Sequence, residues 1–213
     1  MQIILAARED ADETAWRTFC GDLPFVTIHR GSILDQSCDA VVSPANSFGF
    51  MDGGIDALYT QRFGSKIQER LQSVIRDKHH GELLIGAAEI VETDDVDIRF
   101  VIAAPTMRVP MILKDSVNPY LAARAVFILI QSGVFDAGRF KGESISKIVE
   151  SVAFPGLGTG VGQVGFNTCA HQVRAAIDDV ILKTGSFPTT WADAQARHQR
   201  LYTDRVRDLQ KGM

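Results

Sequence analysis

Positive charge is scarce in this sequence: 22 Lys and Arg stand against 26 Asp and Glu, for a net charge of −4 and a pI near 5.7. A nucleic-acid groove or a polybasic membrane face needs clustered cations, so neither partner class is expected. Cysteine is equally sparse. Cys20, Cys38 and Cys169 are odd in number and include no C-x-x-C pair, which argues against a disulfide framework and a zinc site and fits a reducing cytoplasm. His29, His79, His80, His171 and His198 show no metal-like spacing, so no metal is expected. Long apolar runs are also missing. The opening MQIILAARED turns charged at Arg8, too early for a signal peptide, and no later stretch approaches the length of a membrane span. No internal repeat, low-complexity segment or composition break marks a second domain.

What the chain does have is apolar material for one core, at 46% hydrophobic over 213 residues. Apolar runs suited to strands occur at Gln2 to Ala7, Phe25 to His29, Asp39 to Val42, Ala87 to Glu92, Arg99 to Ala104 and Ile148 to Phe154. Helical spacing falls between them. It covers Glu13 to Cys20, with Trp16 and Phe19 inward; a helix opened by Gly53-Gly54 that sets Ile55, Leu58 and Tyr59 on one face; Lys66 to Asp77; and Asn167 to Leu182. A further helix starts with Asn118 as N-cap and Pro119 in first position and runs apolar to Ser132, which predicts its burial. Such alternation predicts an α/β fold, a three-layer α/β/α sandwich around a mixed central sheet. From Thr190 onward, Trp191, Ala194, His198, Leu201, Tyr202 and Leu209 recur near helical spacing. That predicts an amphipathic helix over the 185–213 tail, docked on the domain formed by 1–184, with a dimer contact as the alternative.

Two loops carry the chemistry. The strand at Asp39 to Val42 is stopped by Ser43-Pro44-Ala45-Asn46-Ser47 and followed by Gly53-Gly54 at a helix start. A helix N-terminus leaves N–H groups unpaired, and the helix dipole adds partial positive charge, so the turn is suited to an anion. Asn46, an amide, and Asp56, a carboxylate able to orient or deprotonate a water, flank it. The second loop follows Phe154 and places Gly156, Gly158, Gly160 and Gly162 at alternate positions, a spacing that lets backbone lie close against a ligand. Gly160 to Gly165 also fits the G-x-G-x-x-G pattern, with Asp178 or Asp179 at the distance of the Rossmann acid. Those aspartates fall inside a helix rather than at the end of a second strand, and no Gly-Lys-Ser/Thr follows for a P-loop. A phosphate cradle is the preferred reading.

Gly31-Ser32-Ile33, then Asp39-Ala40-Val41-Val42-Ser43-Pro44-Ala45-Asn46, then Gly53-Gly54-Ile55-Asp56-Ala57 resembles the macro domain pattern of a GDI-type turn, a strand ending in NAAN and a GGGVD-type loop. Phe154-Pro155-Gly156-Leu157-Gly158-Thr159-Gly160-Val161-Gly162 is similar to the family's strand and TGVG loop, and the resemblance extends to about residue 184.

The resemblance implies binding of ADP-ribose or an ADP-ribosylated substrate by a monomer or weak dimer, with no cofactor. Ser32, Ile33 and Ala45 would line the site. The diphosphate would lie between Gly53-Gly54-Ile55 and the loop of Gly156, Gly158, Thr159, Gly160, Val161 and Gly162. Asn46 would meet the distal ribose and Asp56 its anomeric carbon or a nearby phosphate, and both correspond to residues implicated in family members that hydrolyse ADP-ribosyl esters. Phe166, Phe48 and Phe50 are the candidates to stack on adenine or ribose, with packing within the loops as the equal alternative. Ser32 replaces the aspartate that contacts the adenine amino group in the family, with Asp35 as the candidate substitute. Asp52 is read as a solvated loop carboxylate, and Arg108 as either a phosphate contact or an exposed ion pair. Hydrolysis of ADP-ribosyl linkages on proteins or small esters is the preferred function. A non-catalytic ADP-ribose reader and an ADP-ribose 1''-phosphate phosphatase are the alternatives.

Overall fold

A computed structural model describes residues 1–201. Six strands form one sheet: β1 (Gln2–Ala7), β2 (Val26–Arg30), β3 (Ala40–Ser43), β4 (Glu89–Glu92), β5 (Phe100–Ala103) and β6 (Ser151–Phe154). Their order across the sheet is β2-β1-β6-β3-β5-β4; every pairing is parallel except the antiparallel β4–β5 edge. The helices are α1 (Asp10–Cys20), α2 (Gly54–Phe63), α3 (Lys66–His79), α4 (Asn118–Ser132), the short α5 (Ile145–Ile148), α6 (Phe166–Val180) and α7 (Trp191–Gln199).

Central strands of a parallel sheet are covered on both faces, so their residues are apolar without alternation. Every residue of β3 and β5 is buried. Ile3, Leu5, Val42, Ile102, Val152 and Phe154 project to one side, where α1, α4 and α6 cover them. Ile4, Ala6, Val41, Val101 and Ala153 project to the other, against Tyr59 of α2 and Ile67, Leu71 and Ile75 of α3. The fold is the three-layer α/β/α sandwich with a mixed sheet that the alternation of elements predicts. Phe154, read as core, is fully buried.

Two local expectations are revised, and a third, the inward Phe19 that packs against the core, is met in part. Asn118 occupies the first helical position of α4, with Val117 at the N-cap. Its side-chain amide is turned instead to the Thr106 carbonyl, 2.7 Å away. Ile148 ends α5, and β6 begins only at Ser151. That boundary is set by Asp39, whose Oδ2 accepts from the N–H groups of Glu150 (2.8 Å) and Ser151 (2.9 Å) and from the Ser151 hydroxyl (2.9 Å). Its other oxygen meets Arg99, which also donates to the Ile148 carbonyl at 2.6 Å. Phe19, read as inward, is only partly buried and packs edge-on against His171.

Helix α7 starts with a capping box: the Thr190 hydroxyl accepts from the Asp193 N–H and the Asp193 carboxylate from the Thr190 N–H, both at 3.1 Å. None of its residues is buried, and Trp191 is 80% exposed. Its link to the domain is polar, through Arg197 and Asp179 at 2.6 Å. Leu201, just beyond the helix, is buried, whereas Tyr202 and Leu209 lie outside the described residues.

Asp39 holds the starts of β3, β5 and β6 together. Burial alone would raise its pKa, but the Arg99 and Ser151 donors and the two backbone N–H groups hold the carboxyl below its ordinary 3.8. The Asp39→Ala variant is expected to lose about 2–3 kcal/mol at neutral pH, because it strands a guanidinium and two N–H groups. A depressed pKa contributes stability above the unfolded value and loses it on acidification. The gap between wild-type and variant urea midpoints should therefore be full at pH 6 and close as the pH falls below 3.8.

Candidate active site

The carboxyl ends of the parallel strands lie along one edge of the sheet, and the loops that leave them enclose a cleft of about 860 Å³. Its volume lies within the roughly 300–1,000 Å³ range of small-molecule sites. The pairing of β3 with β6 stops at Val41↔Ala153, while β1 stays with β6 to Phe154 and β3 with β5 to Ser43. The cleft sits where β3 and β6 part, at the point where the chain's connections run outward in opposite directions.

The end of β3 and the start of α2 form the acidic wall. Ser43, fully buried, donates from its hydroxyl to Asp56 Oδ1 at 2.6 Å, tying strand to helix. Asp56 is the third residue of α2 and only 6% exposed. Burial pushes its carboxyl up to about 7; the charge of nearby Asp52 adds to this and the Ser43 bond opposes it. Asp52 is exposed but still lines the cleft. Gly53 is the N-cap of α2, and Gly54 follows at φ 56°, a left-handed conformation that suits glycine. The N–H groups of Gly54 and Ile55, first in the helix, have no intrahelical acceptor, and both residues border the cavity.

Asn46 also lines the cavity, but most of its amide is committed to its own loop. Oδ1 accepts from the Phe48 and Phe50 N–H groups at 3.1 and 3.3 Å, and Nδ2 donates to the Phe50 carbonyl at 2.9 Å. One amide hydrogen remains to meet a ligand.

The opposite wall is the glycine loop after β6. Among the described residues, the N–H groups from Gly158 to Gly162 have no backbone acceptor. Three of its glycines serve the loop's own packing. A Cβ on Gly156 would lie 2.4 Å from Thr159 Oγ1 and one on Gly162 2.5 Å from the Gly158 carbonyl, while Gly158 has φ 70°. Only at Gly160 is the space for a side chain open.

All of the ligand-binding residues expected from the sequence border this single cavity: Ser32, Ile33, Ala45, Asn46, Gly53, Gly54, Ile55, Asp56, Gly156, Gly158, Thr159, Gly160, Val161, Gly162 and Phe166. Of the remaining candidates, some fall outside the cleft, and Arg108 takes the exposed ion pair that was one of its two readings. Asp35 is exposed and outside the cleft, so it is no substitute for the missing aspartate. Phe48 lies outside it as well, beneath the Arg108 guanidinium at 5.1 Å, whereas Phe50, 53% exposed, is on the wall. Arg108 is the ion-pair partner of Glu82, at 2.7 and 3.2 Å. Leu58 does not share the buried face of Tyr59; it lines the cleft.

Sequence patterns also miss Ala6, Arg8, Glu9 and Asp12, which close the end of the cleft near Ser32. Asp12 is 5% exposed and burial raises its pKa. Its first-turn position in α1 is ordinary for an acid, so nothing in the sequence separates it from Asp10 beside it. Among the described residues, no three His, Cys, Asp or Glu side chains gather as a metal site, and no helix is long and apolar enough to cross a membrane.

Residues 42–173, which contain both loops, match the Macro domain family. This chain belongs to that family. An uncharacterized protein of Aeropyrum pernix is 30% identical over 188 residues, covering 88% of this chain and 85% of the relative. Another, from Aquifex aeolicus, is 30% identical over 155 residues, 73% of this chain and 80% of the relative. Among solved structures, the macrodomain of Mycobacterium tuberculosis DarG superposes with a TM-score of 0.57 at 20% identity, covering 72% of this chain and 90% of that one. A Trypanosoma brucei macrodomain in complex with ADP-ribose gives a TM-score of 0.52 at 16% identity, over 70% of this chain and 56% of that one. These structures share the macro domain fold with the present chain.

The glycines of the second loop should separate by role on substitution. Gly162→Ala forces backbone apart and is expected to lower the melting temperature by several degrees, on the order of 1–3 kcal/mol. Gly160→Ala meets nothing and should melt with the wild type; equal losses in both would contradict the assignment.

Proposed function

We propose that this macro domain binds ADP-ribose in the cleft and hydrolyses ADP-ribosyl ester linkages, with Asp56 as general base. The observation that carries the reading is a buried carboxyl, pushed up to about 7, in the helix turn that borders the same cleft as the glycine loop. A group with that pKa is available both to hold and to release a proton at neutral pH. The fold is shared with a macrodomain solved in complex with ADP-ribose, which supports the choice of ligand.

In this reading the diphosphate lies between the N–H groups of Gly53 to Ile55 and those of Gly158 to Gly162, held by backbone rather than by cationic side chains. Arg8 is the one Lys or Arg among the wall residues, at the opposite end from Asp56 in the proposed pose. The distal ribose meets Asn46, whose loop bonds fix its amide, and presents its anomeric carbon to Asp56. Asp56 takes a proton from a water as the water oxygen bonds to that carbon. The bond from the carbon to the ester oxygen breaks, and its electron pair leaves with the carboxylate. Ser43 acts as a positioning residue, fixing the Asp56 rotamer and opposing the upward shift of its pKa.

A base must be ionised, so the single-turnover rate of ADP-ribose release from an ADP-ribose esterified at its anomeric oxygen should rise with pH through about 7 and then level. Asp52→Asn removes a repelling charge and should move that limb to lower pH. Ser43→Ala removes the opposing bond and should move it higher. Asp56→Ala should lower the rate by about 100-fold or more. A wild-type rate equal to that of Asp56→Ala would identify a reader that binds without hydrolysis.

A further inference from the structure

The mouth of the cleft around Asn46 is apolar, and the groups that make it come from separate segments of the chain. Phe50 sits beside Asn46, because its N–H and carbonyl hold the Asn46 amide at 3.3 and 2.9 Å. Met107 pairs with Asn46 through an isolated parallel bridge. From there the chain runs through Pro110 to Leu113, whose N–H donates to the Gly162 carbonyl at 2.7 Å. That segment therefore spans from the Asn46 loop to the glycine loop, next to Val161. On α2, Leu58 follows two residues after Asp56. Phe50, Leu58, Met107, Pro110 and Val161 all border the cavity, and Phe50 and Val161 are 53% and 63% exposed.

A single exposed apolar side chain is ordinary, but several gathered around one cavity mark a surface that a ligand covers. The class of ligand follows from what these side chains lack. None of the five offers a hydrogen-bond donor, and Arg8, the one Lys or Arg of the wall, lies at the opposite end in the proposed pose. A polynucleotide would bring phosphates to this mouth, and a polypeptide would bring peptide groups; both lose hydration there without gaining polar partners. A saturated hydrocarbon chain needs no such partner and is stabilised by leaving water.

We infer that this apolar mouth is a subsite for the leaving group, and that the ester cleaved joins ADP-ribose to an aliphatic acid longer than acetic acid. The inference rests on the proposed hydrolysis at Asp56 and names its substrate class. The bond changes are unaltered: the water oxygen bonds to the anomeric carbon, Asp56 takes the proton of that water, and the aliphatic acid departs as its carboxylate. Phe50, Leu58 and Val161 hold the hydrocarbon chain and select by its length.

The test is the dependence of kcat/KM on chain length, for ADP-ribose esterified at its anomeric oxygen with acetic, butyric and hexanoic acid, and with the glutamate side chain of a short peptide. The wild type should gain about two- to fourfold in kcat/KM per methylene from acetyl to hexanoyl, the factor for taking one CH₂ partly or wholly out of water. Contacts with the chain are the same before and in the transition state, so the gain should fall in KM with kcat nearly constant. Phe50→Gln and Val161→Gln should each lower the hexanoyl-to-acetyl ratio by about threefold or more. That ratio is internal to each variant, so a loss of folded protein does not change it. Wild-type values independent of chain length would overturn the inference, and continued cleavage of the acetyl ester would leave the hydrolase reading standing. A length dependence untouched by either variant would overturn it too, as would a peptide ester cleaved faster than the hexanoyl one. Hydrolysis of none of the esters would overturn the inference together with the reading it rests on.

Discussion

Five strands running in the same direction end at one edge of the sheet, and that shared polarity is the constraint on which the site depends. Each strand delivers a different loop there: Arg8 to Asp12 from β1, Gly31 to Ile33 from β2, Pro44 to Asp56 from β3, Thr106 to Pro110 from β5 and Pro155 to Phe166 from β6. Parallel pairing requires helices to cross over both faces, which is why the strands are apolar on both sides. Asp39 pins this arrangement from the other end of the sheet, joining the starts of β3, β5 and β6 through one carboxylate. A polar residue at the closed end thus fixes the spacing of the loops at the open end.

The electrostatics of the cleft follow from that construction. Its titratable wall residues are Arg8, Glu9, Asp12, Asp52 and Asp56, so carboxylates outnumber cations. In the proposed pose an anion is held there by the backbone N–H groups of a helix start and a glycine loop. The acids are then free for other roles. Burial at the start of α2, reinforced by Asp52, sets Asp56 near neutrality, and burial in the first turn of α1 raises the pKa of Asp12 as well. The three cysteines are buried and unpaired, with burial pushing each thiol up to about 12, so they act as core residues rather than nucleophiles.

Much of this was legible in the sequence because it rests on local pattern. The two glycine loops follow apolar runs directly, so strand, turn and helix start could be read in register, and Asn46, Asp56 and the glycines named from them line the cavity, although Phe48 does not. What was not legible depends on contacts between distant segments. Ile148 had the composition of a strand, but its boundary is set by Asp39 and Arg99, more than a hundred and about fifty residues away in the chain. Leu58 and Tyr59 shared a helical face on spacing alone, yet the Tyr59 hydroxyl donates to the Val42 carbonyl at 2.9 Å and Leu58 is left on the cleft wall. Asp12 reads as one of several acids opening a helix; only the proximity of the β1 and β2 ends gives it a place in the site. Trp191 promised a buried face on α7, but that helix is attached through an ion pair and the ring is exposed.

The central claim is that backbone amides on either side of the β3–β6 gap hold the diphosphate of ADP-ribose. Calorimetric titration of the wild type and of Gly160→Glu, with ADP-ribose, ADP and AMP, tests it most directly, since nothing beyond its own chain neighbours lies within 4 Å of a Cβ at that position. Micromolar binding of ADP-ribose that weakens without the distal ribose and disappears in the variant is the predicted result. No binding by the wild type, or binding unaffected by a carboxylate placed in the loop, would contradict the account.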